Sequence, residues 1–264
     1  MGSRTTYPTG QFCWVDLMSH DYDAAASFYG EVFGWTCEVQ DTHGGPRYGI
    51  FHLGDQQVGG IGQMSDEMKS QGMPSFWSVY CKVDDVDAAT KEAVAAGGTV
   101  MMEPIPVLES GRMSIVVDPG GAALSLWQPI NHHGSQIVNE PNTWIWNDLM
   151  TSDPEGSVKF YEAMFGWTMI ESPMDNGSEY WEFKNQGHLI GGMMRRSDDD
   201  NAPPPHWSTY FSVTDLNATV TAIESRGGHV VVPSFNTEVG DICVVSDPFQ
   251  GVFDLVQLTV PADE

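Results

Sequence analysis

Lysine and arginine are scarce in this chain: 11 in 264 residues, against 36 aspartates and glutamates, for a formal net charge of −25. A surface of that sign has no basic stripe for a phosphate backbone and repels anionic bilayers, so neither nucleic acid nor membrane is an expected partner. Ligands bearing several negative charges are disfavoured for the same reason, while solubility is favoured. Cysteine is sparse too. Cys13, Cys37, Cys81 and Cys243 form no CxxC pair and do not recur between the two halves, so a disulfide framework is not expected and a reduced cytoplasm is the default setting. No apolar run approaches the ~20 residues that cross a bilayer, and the polar stretch from Met1 to Gly10 has no signal-peptide core. A G-x-S-x-G elbow, a P-loop and an H-E-x-x-H helix are all missing. Gly59, Gly60 and Gly62 lie late in a strand with no helix after them, which excludes a phosphate cradle. Residues 198–200 are acidic, but lack the glycine and distal glutamate of an EF-hand loop.

What the chain does have is a long internal repeat. Trp14, Asp16 and Met18 return as Trp146, Asp148 and Met150; Phe28-Tyr29 as Phe160-Tyr161; Phe33-Gly34-Trp35 as Phe165-Gly166-Trp167; and Gly59-Gly60 as Gly191-Gly192, all at an offset of 132 residues. The offset then shortens slightly, with Asp118-Pro119 matching Asp247-Pro248. Solenoid periods run at roughly 20–50 residues, so this is a duplicated domain, each copy large enough for its own core.

Each half divides again. Phe12–Met18 alternates like a strand; a helix capped by Asp21 and stopped by Gly34 follows, then strands at Trp35–Val39, Tyr48–Leu53 and Val58–Met64. In the second half, Asp153, Pro154 and Gly166 punctuate the matching helix. After a Gly/Pro-marked loop the order repeats: a strand at Phe76–Val83, a helix at Asp85–Ala96, and strands at Thr99–Glu103, Met113–Val117 and Ala123–Trp127. The expectation is an α+β chain of four βαβββ modules. It is divided into a tail (1–10), a first domain (11–129), a linker (130–142), a second domain (143–258) and a C-terminal tail (259–264). Two modules side by side would curl a mixed sheet into a cup, an incomplete barrel lined by alternate strand residues.

The module order, with its FY…FGW, VGG and D-P-x-G signatures, resembles the vicinal oxygen chelate superfamily of glyoxalases, bleomycin-resistance proteins and extradiol dioxygenases. The resemblance covers residues 11–258 and implies that fold; because the superfamily hosts unrelated chemistries, it implies less about activity. Metal-using members carry His, Glu or Gln on strands facing the cup. By count, those positions fall here on Trp14, Ser78, Ser125 and a residue near Ile50, and in the second half on Trp146, Ser208, Asp254 and a residue near Glu182. Indole has no lone pair for a metal, and a serine hydroxyl is a poor ligand for transition ions. No cofactor is therefore expected; a divalent metal, if bound, would use Glu182, His206 and Asp254.

Strand alternation lines the cups with Trp14, Met18, Ser78, Tyr80 and Trp127 in one half and Trp146, Met150, Ser208 and Tyr210 in the other, with Arg112 as the cation available to a ligand carboxylate. Aromatic walls with few polar groups suit a flat, partly apolar ligand. The competing reading of the duplicated tryptophans and methionines is scaffold packing. Asp16 and Asp148, carboxylates in apolar strands, are either structurally satisfied or general bases whose pKa is raised by burial. Arg112 could instead pair with a surface acid, and His132-His133 belong to the linker, with a binding role as the minor alternative. Three functions stay open: a metal-poor small-molecule binder, monomeric or homodimeric; a lyase or isomerase of glyoxalase-like type; and an interaction protein whose cups are filled by its own side chains.

Overall fold

The computed structural model describes residues 2–172, 179–197, 199 and 202–259. Asp198 and Asp200 of the acidic loop, and the C-terminal tail beyond 259, lie outside the described residues. The first half runs β1 (Phe12–Ser19), α1 (Tyr22–Phe33), β2 (Thr36–Val39), β3 (Tyr48–Leu53), β4 (Gln56–Gln63), a short α2 (Asp66–Ser70), β5 (Phe76–Lys82), α3 (Val86–Ala95), β6 (Thr99–Val107), β7 (Gly111–Val117) and β8 (Ala123–Pro129). The second runs β9 (Trp144–Thr151), α4 (Pro154–Phe165), β10 (Thr168–Glu171), β11 (Tyr180–Asn185), β12 (His188–Arg195), β13 (His206–Ser212), α5 (Leu216–Ser225), β14 (His229–Asn236), β15 (Gly240–Ser246) and β16 (Val252–Leu258).

The caps act as the sequence implies. Asp21 accepts the Ala24 N–H and Gly34 takes a left-handed φ of 74°; Asp153 accepts the Gly156 N–H, Pro154 opens α4 and Gly166 ends it at φ 67°. Each such N-cap contributes about 1 kcal/mol. Two features depart from the sequence reading. α2, capped by Ser65 onto Met68, occupies part of the segment read as loop. β6 continues past Glu103 through Pro104 and Pro106, because it is the outermost strand of its sheet and a missing N–H there costs no ladder bond.

Each half forms one eight-stranded mixed sheet, in the orders β2-β3-β4-β1-β5-β8-β7-β6 and β10-β11-β12-β9-β13-β16-β15-β14. Antiparallel pairing of β1 with β5, and of β9 with β13, fuses the two modules of a half. Neither sheet closes on itself, so each half is an open cup.

The helix-bearing faces of the two sheets meet in one continuous apolar core. Phe12 lies edge-on to Trp207 at 5.0 Å and Phe33 lies 5.3 Å from Phe211. Two buried hydrogen bonds cross reciprocally: Tyr29 donates to Asp247 and Tyr161 to Asp118, both at 3.1 Å. These are the aspartates of the repeated Asp-Pro turns. Each also accepts backbone N–H groups of its own turn, from Phe249 and Gly251 onto Asp247 and from Ala122 onto Asp118. The segments before and between the sheets are pinned likewise: Trp35 donates to the Asn142 carbonyl and Trp167 to that of Gly10, each at 2.8 Å. No described helix is long and apolar enough to cross a membrane.

Candidate functional site

On the cup side of the first sheet, register aligns Ile50, Gly60, Asp16 and Ser78 across β3, β4, β1 and β5, and Trp14, Tyr80 and Ser125 across β1, β5 and β8. The second sheet repeats this with Glu182, Gly192, Asp148 and Ser208, then Trp146, Tyr210 and Asp254. The indoles of Trp14 and Trp127 cluster with Tyr80 apart from the main core, so they line the cup rather than the helix side.

A buried carboxylate anchors each cup. Asp16 accepts from the phenols of Tyr80 (2.9 Å) and Tyr48 (3.1 Å), and the Trp14 indole donates to Tyr48 (3.0 Å). Burial pushes its pKa up to about 6, with the hydrogen bonds from Tyr80, Tyr48 and Ser78 acting against the rise. Asp148 accepts from Tyr210 (2.8 Å), Tyr180 (2.9 Å) and the Trp146 indole (2.9 Å); burial raises its pKa and these donors oppose it. Both glycines of the rows are required by this arrangement. A Cβ on Gly60 would stand 2.1 Å from the Tyr48 hydroxyl, and one on Gly192 would stand 2.0 Å from that of Tyr180, because each ring crosses the glycine to reach its aspartate.

Beyond this shared aspartate, tyrosine pair and tryptophan the cups diverge. In the second, Asp254 takes the place of Ser125 and Glu182 that of Ile50. Asp254 is 3% exposed and accepts from Ser208. Burial, reinforced by the charge of Asp148 and opposed by Ser208, pushes its pKa up to about 7. Trp146 and Tyr210 are half-buried in this cup, where their counterparts Trp14 and Tyr80 are buried. The first cup is filled from within. Tyr7 of the tail packs into the Trp14–Tyr80–Trp127 cluster, and the His132 ring lies edge-on to Trp14 at 4.4 Å. Two shallow clefts of about 240 and 300 Å³ are lined by Thr90, Lys91 and Val94 and by Thr6, Lys82 and His133; neither reaches an anchoring carboxylate.

Register thus brings Trp14, Asp16, Met18, Ser78, Tyr80 and Trp127 to one cup face, and Trp146, Asp148, Met150, Ser208, Tyr210 and Asp254 to the other. Arg112 is the exception: of the two roles weighed from sequence, it takes the pairing with a surface acid. It sits one residue out of phase with Met113, the β7 side chain that packs against the cup cluster, and its guanidinium grips Asp87 at the start of α3 on the opposite face. His206 stands at the rim with Nδ1 2.7 Å from the Pro204 carbonyl, and burial lowers its pKa. Tyr48, Tyr180 and Tyr7 were not singled out by sequence, and His132 only as a linker residue with binding as its minor alternative. The first two recur at the same 132-residue offset as the aspartates, a signal that could have exposed them.

Among the described residues no three His, Cys, Asp or Glu side chains converge. The surroundings of Asp148 disfavour a transition ion: two side-chain donors on Oδ1 and one on Oδ2 take three of the roughly four lone-pair sites on which coordination would draw.

Comparison with known proteins agrees with this architecture. The chain is 37% identical over 259 residues to a Mycobacterium bovis protein bearing the provisional name glyoxylase CFP32, covering 97% of this chain and 98% of that one. It is 32% identical over 269 residues to the anthracycline biosynthesis protein DauV of a Streptomyces species, covering 96% and 95%. Among solved structures, the Mn(II)-bound glyoxalase from Novosphingobium aromaticivorans superposes with a TM-score of 0.64 at 14% identity, over 97% of this chain and 86% of that one. The family profile described as Glyoxalase/Bleomycin resistance protein/Dioxygenase superfamily matches residues 11–126 and again 135–254, and the chain belongs to that superfamily.

Proposed function

We propose that this is a cytoplasmic small-molecule-binding protein, monomeric or homodimeric, that holds a planar aromatic or amphipathic ligand in its second cup without a transition ion. The observation carrying this reading is the difference between the cups: two buried carboxylates, Asp148 and Asp254, lie beneath the half-buried Trp146 and Tyr210, whereas the corresponding space in the first cup is filled. Indole and phenol supply flat apolar contact, and the acids favour ligand hydroxyl or ammonium donors. Likeness to an anthracycline biosynthesis protein supports an aromatic ligand.

A second reading, a lyase or isomerase, is favoured by the unequal settings of the two acids. Asp148 is surrounded by donors that stabilise its charge, while Asp254 has only Ser208 opposing a rise to about 7. Such a pair suits proton transfer at neutral pH, with Asp148 as base and Asp254 as acid. A thermal-shift screen of planar aromatic compounds tests the binding reading. A hit should raise the melting temperature of wild type and lose its effect in Trp146→Ala; hits indifferent to Trp146 and Tyr210 would overturn it. Turnover of a hit that Asp148→Asn abolishes, with folding intact, would favour the enzyme.

A further inference from the structure

We infer that the first cup is a second binding site, for a planar aromatic molecule carrying one hydrogen-bond acceptor, held shut by the imidazole of His132 acting as an internal occupant. The occluding strap, residues 130–136, is anchored at both ends. The N–H groups of Ile130, Asn131 and His132 all reach the Ser110 carbonyl at 2.9–3.1 Å, and Ser135 and Gln136 donate to the Cys13 and Gln57 carbonyls at 2.8 and 2.7 Å. The Tyr7 hydroxyl closes over it, donating to the Ser135 carbonyl at 2.7 Å.

Between these anchors the fit is good in shape and poor in polarity. The imidazole sits edge-on to Trp14 at 4.4 Å and to Trp127 at 5.9 Å, as a small aromatic ligand would. Its Nε2, however, is buried with no hydrogen-bond partner among the described residues. A core position filled only for packing has no need of a ring nitrogen, and a buried nitrogen without a partner is costly. Burial also drives the pKa of this histidine down to about 4, with His133 adding to the effect, so the ring enters neutral. The Trp127 indole donates to the His132 carbonyl at 2.9 Å, and this N–H, like the Tyr7 hydroxyl, is left unpaired when the strap lifts. A ligand bearing an acceptor would satisfy it while its ring replaced the imidazole against Tyr7, Trp14, Ile50, Tyr80, Met113 and Trp127. The site is independent of the second-cup reading, which involves none of these residues.

The test uses the full chain with 1-naphthol as probe. His132→Ala should bind 1-naphthol at least tenfold more tightly than wild type, and imidazole should raise the melting temperature of the variant but not of wild type. Both gains should persist when Trp146→Ala is added in the second cup. Equal affinity in variant and wild type, or a gain that Trp146→Ala removes, overturns the inference. A second arm needs no variant: saturating 1-naphthol should accelerate hydrogen exchange of amides 131–136 in wild type, and unchanged or slower exchange there refutes strap displacement even if His132→Ala fails to fold.

Discussion

The clearest perturbation is Gly60→Ala, because the reason for the glycine can be separated from its backbone. Gly60 is in extended β4, so alanine carries no conformational penalty there; what it meets is the Tyr48 hydroxyl at 2.1 Å and the ring carbon bearing it at 2.7 Å. Tyr48 has to withdraw, breaking its bond to Asp16 and the one it accepts from Trp14. Hydrogen bonds to a charged group contribute about 1.5–3 kcal/mol and neutral ones about 1 kcal/mol. The expected loss for the single variant is therefore about 2–4 kcal/mol. Tyr48→Ala loses the same bonds plus ring packing. In that background the next neighbour of the new methyl is the Asp16 Cβ at 3.1 Å, which a small adjustment relieves. Adding Gly60→Ala to Tyr48→Ala should then cost less than about 0.5 kcal/mol, giving a coupling energy of at least about 1.5 kcal/mol in the double-mutant cycle. Urea unfolding of the four proteins, followed by tryptophan fluorescence, measures it. Additive losses would show that the glycine is needed for something other than the phenol crossing it.

Acid titration should separate His132 from Asp16. His132, depressed in the fold to about 4 from a free value near 6.5, leaves the unfolded chain holding more protons, so its contribution is intact above pH 6.5 and erodes as pH falls toward 4. Asp16, raised from 3.8 to about 6, acts oppositely: stability is lost as pH rises through that window. Relative to wild type, His132→Leu should gain stability on acidification and Asp16→Asn on alkalinisation, each by up to about 3 kcal/mol at 1.36 kcal/mol per unit; parallel stability curves would contradict both assignments. Tyr210→Phe should push the Asp148 carboxyl higher still, read by carbon NMR of the side chain, and an unmoved resonance would exclude the bond. Tyr161→Phe should cost about 1–3 kcal/mol by leaving one Asp118 oxygen without its phenol, with no loss meaning that the cross-half bond is not formed. Nickel or zinc should barely change the melting temperature; stoichiometric tight uptake would overturn the metal-free reading.

The modules were legible because their punctuation is local. Asp21, Gly34, Asp153 and Gly166 act within a few residues of themselves, and strand alternation correctly set Trp14, Asp16 and Tyr80 on one face. Sequence left Arg112 between a ligand carboxylate and a surface acid because the phase of β7 relative to its neighbours depends on partners distant in sequence, and the pairing of Met113 with Trp127 is what fixes it. His132 was read chiefly as linker for a related reason: nothing near it in the chain indicates that the linker doubles back across the cup. Tyr48 and Tyr180, the second phenol on each aspartate, lie 32 residues from it, beyond the range of any periodicity argument. The repeat itself held that information.

The crossed phenol–turn bonds bear on how the duplication can have diverged. A lone half would turn Phe12, Phe33 and Trp35, or their counterparts, toward water and leave a tyrosine hydroxyl or an Asp-Pro loop without its mate. A single copy would therefore need to self-associate through this same seam, an association that the present chain supplies within one polypeptide. With the two copies no longer identical, one holds an acidic hollow and the other is sealed, while the seam between them keeps its paired form on both sides.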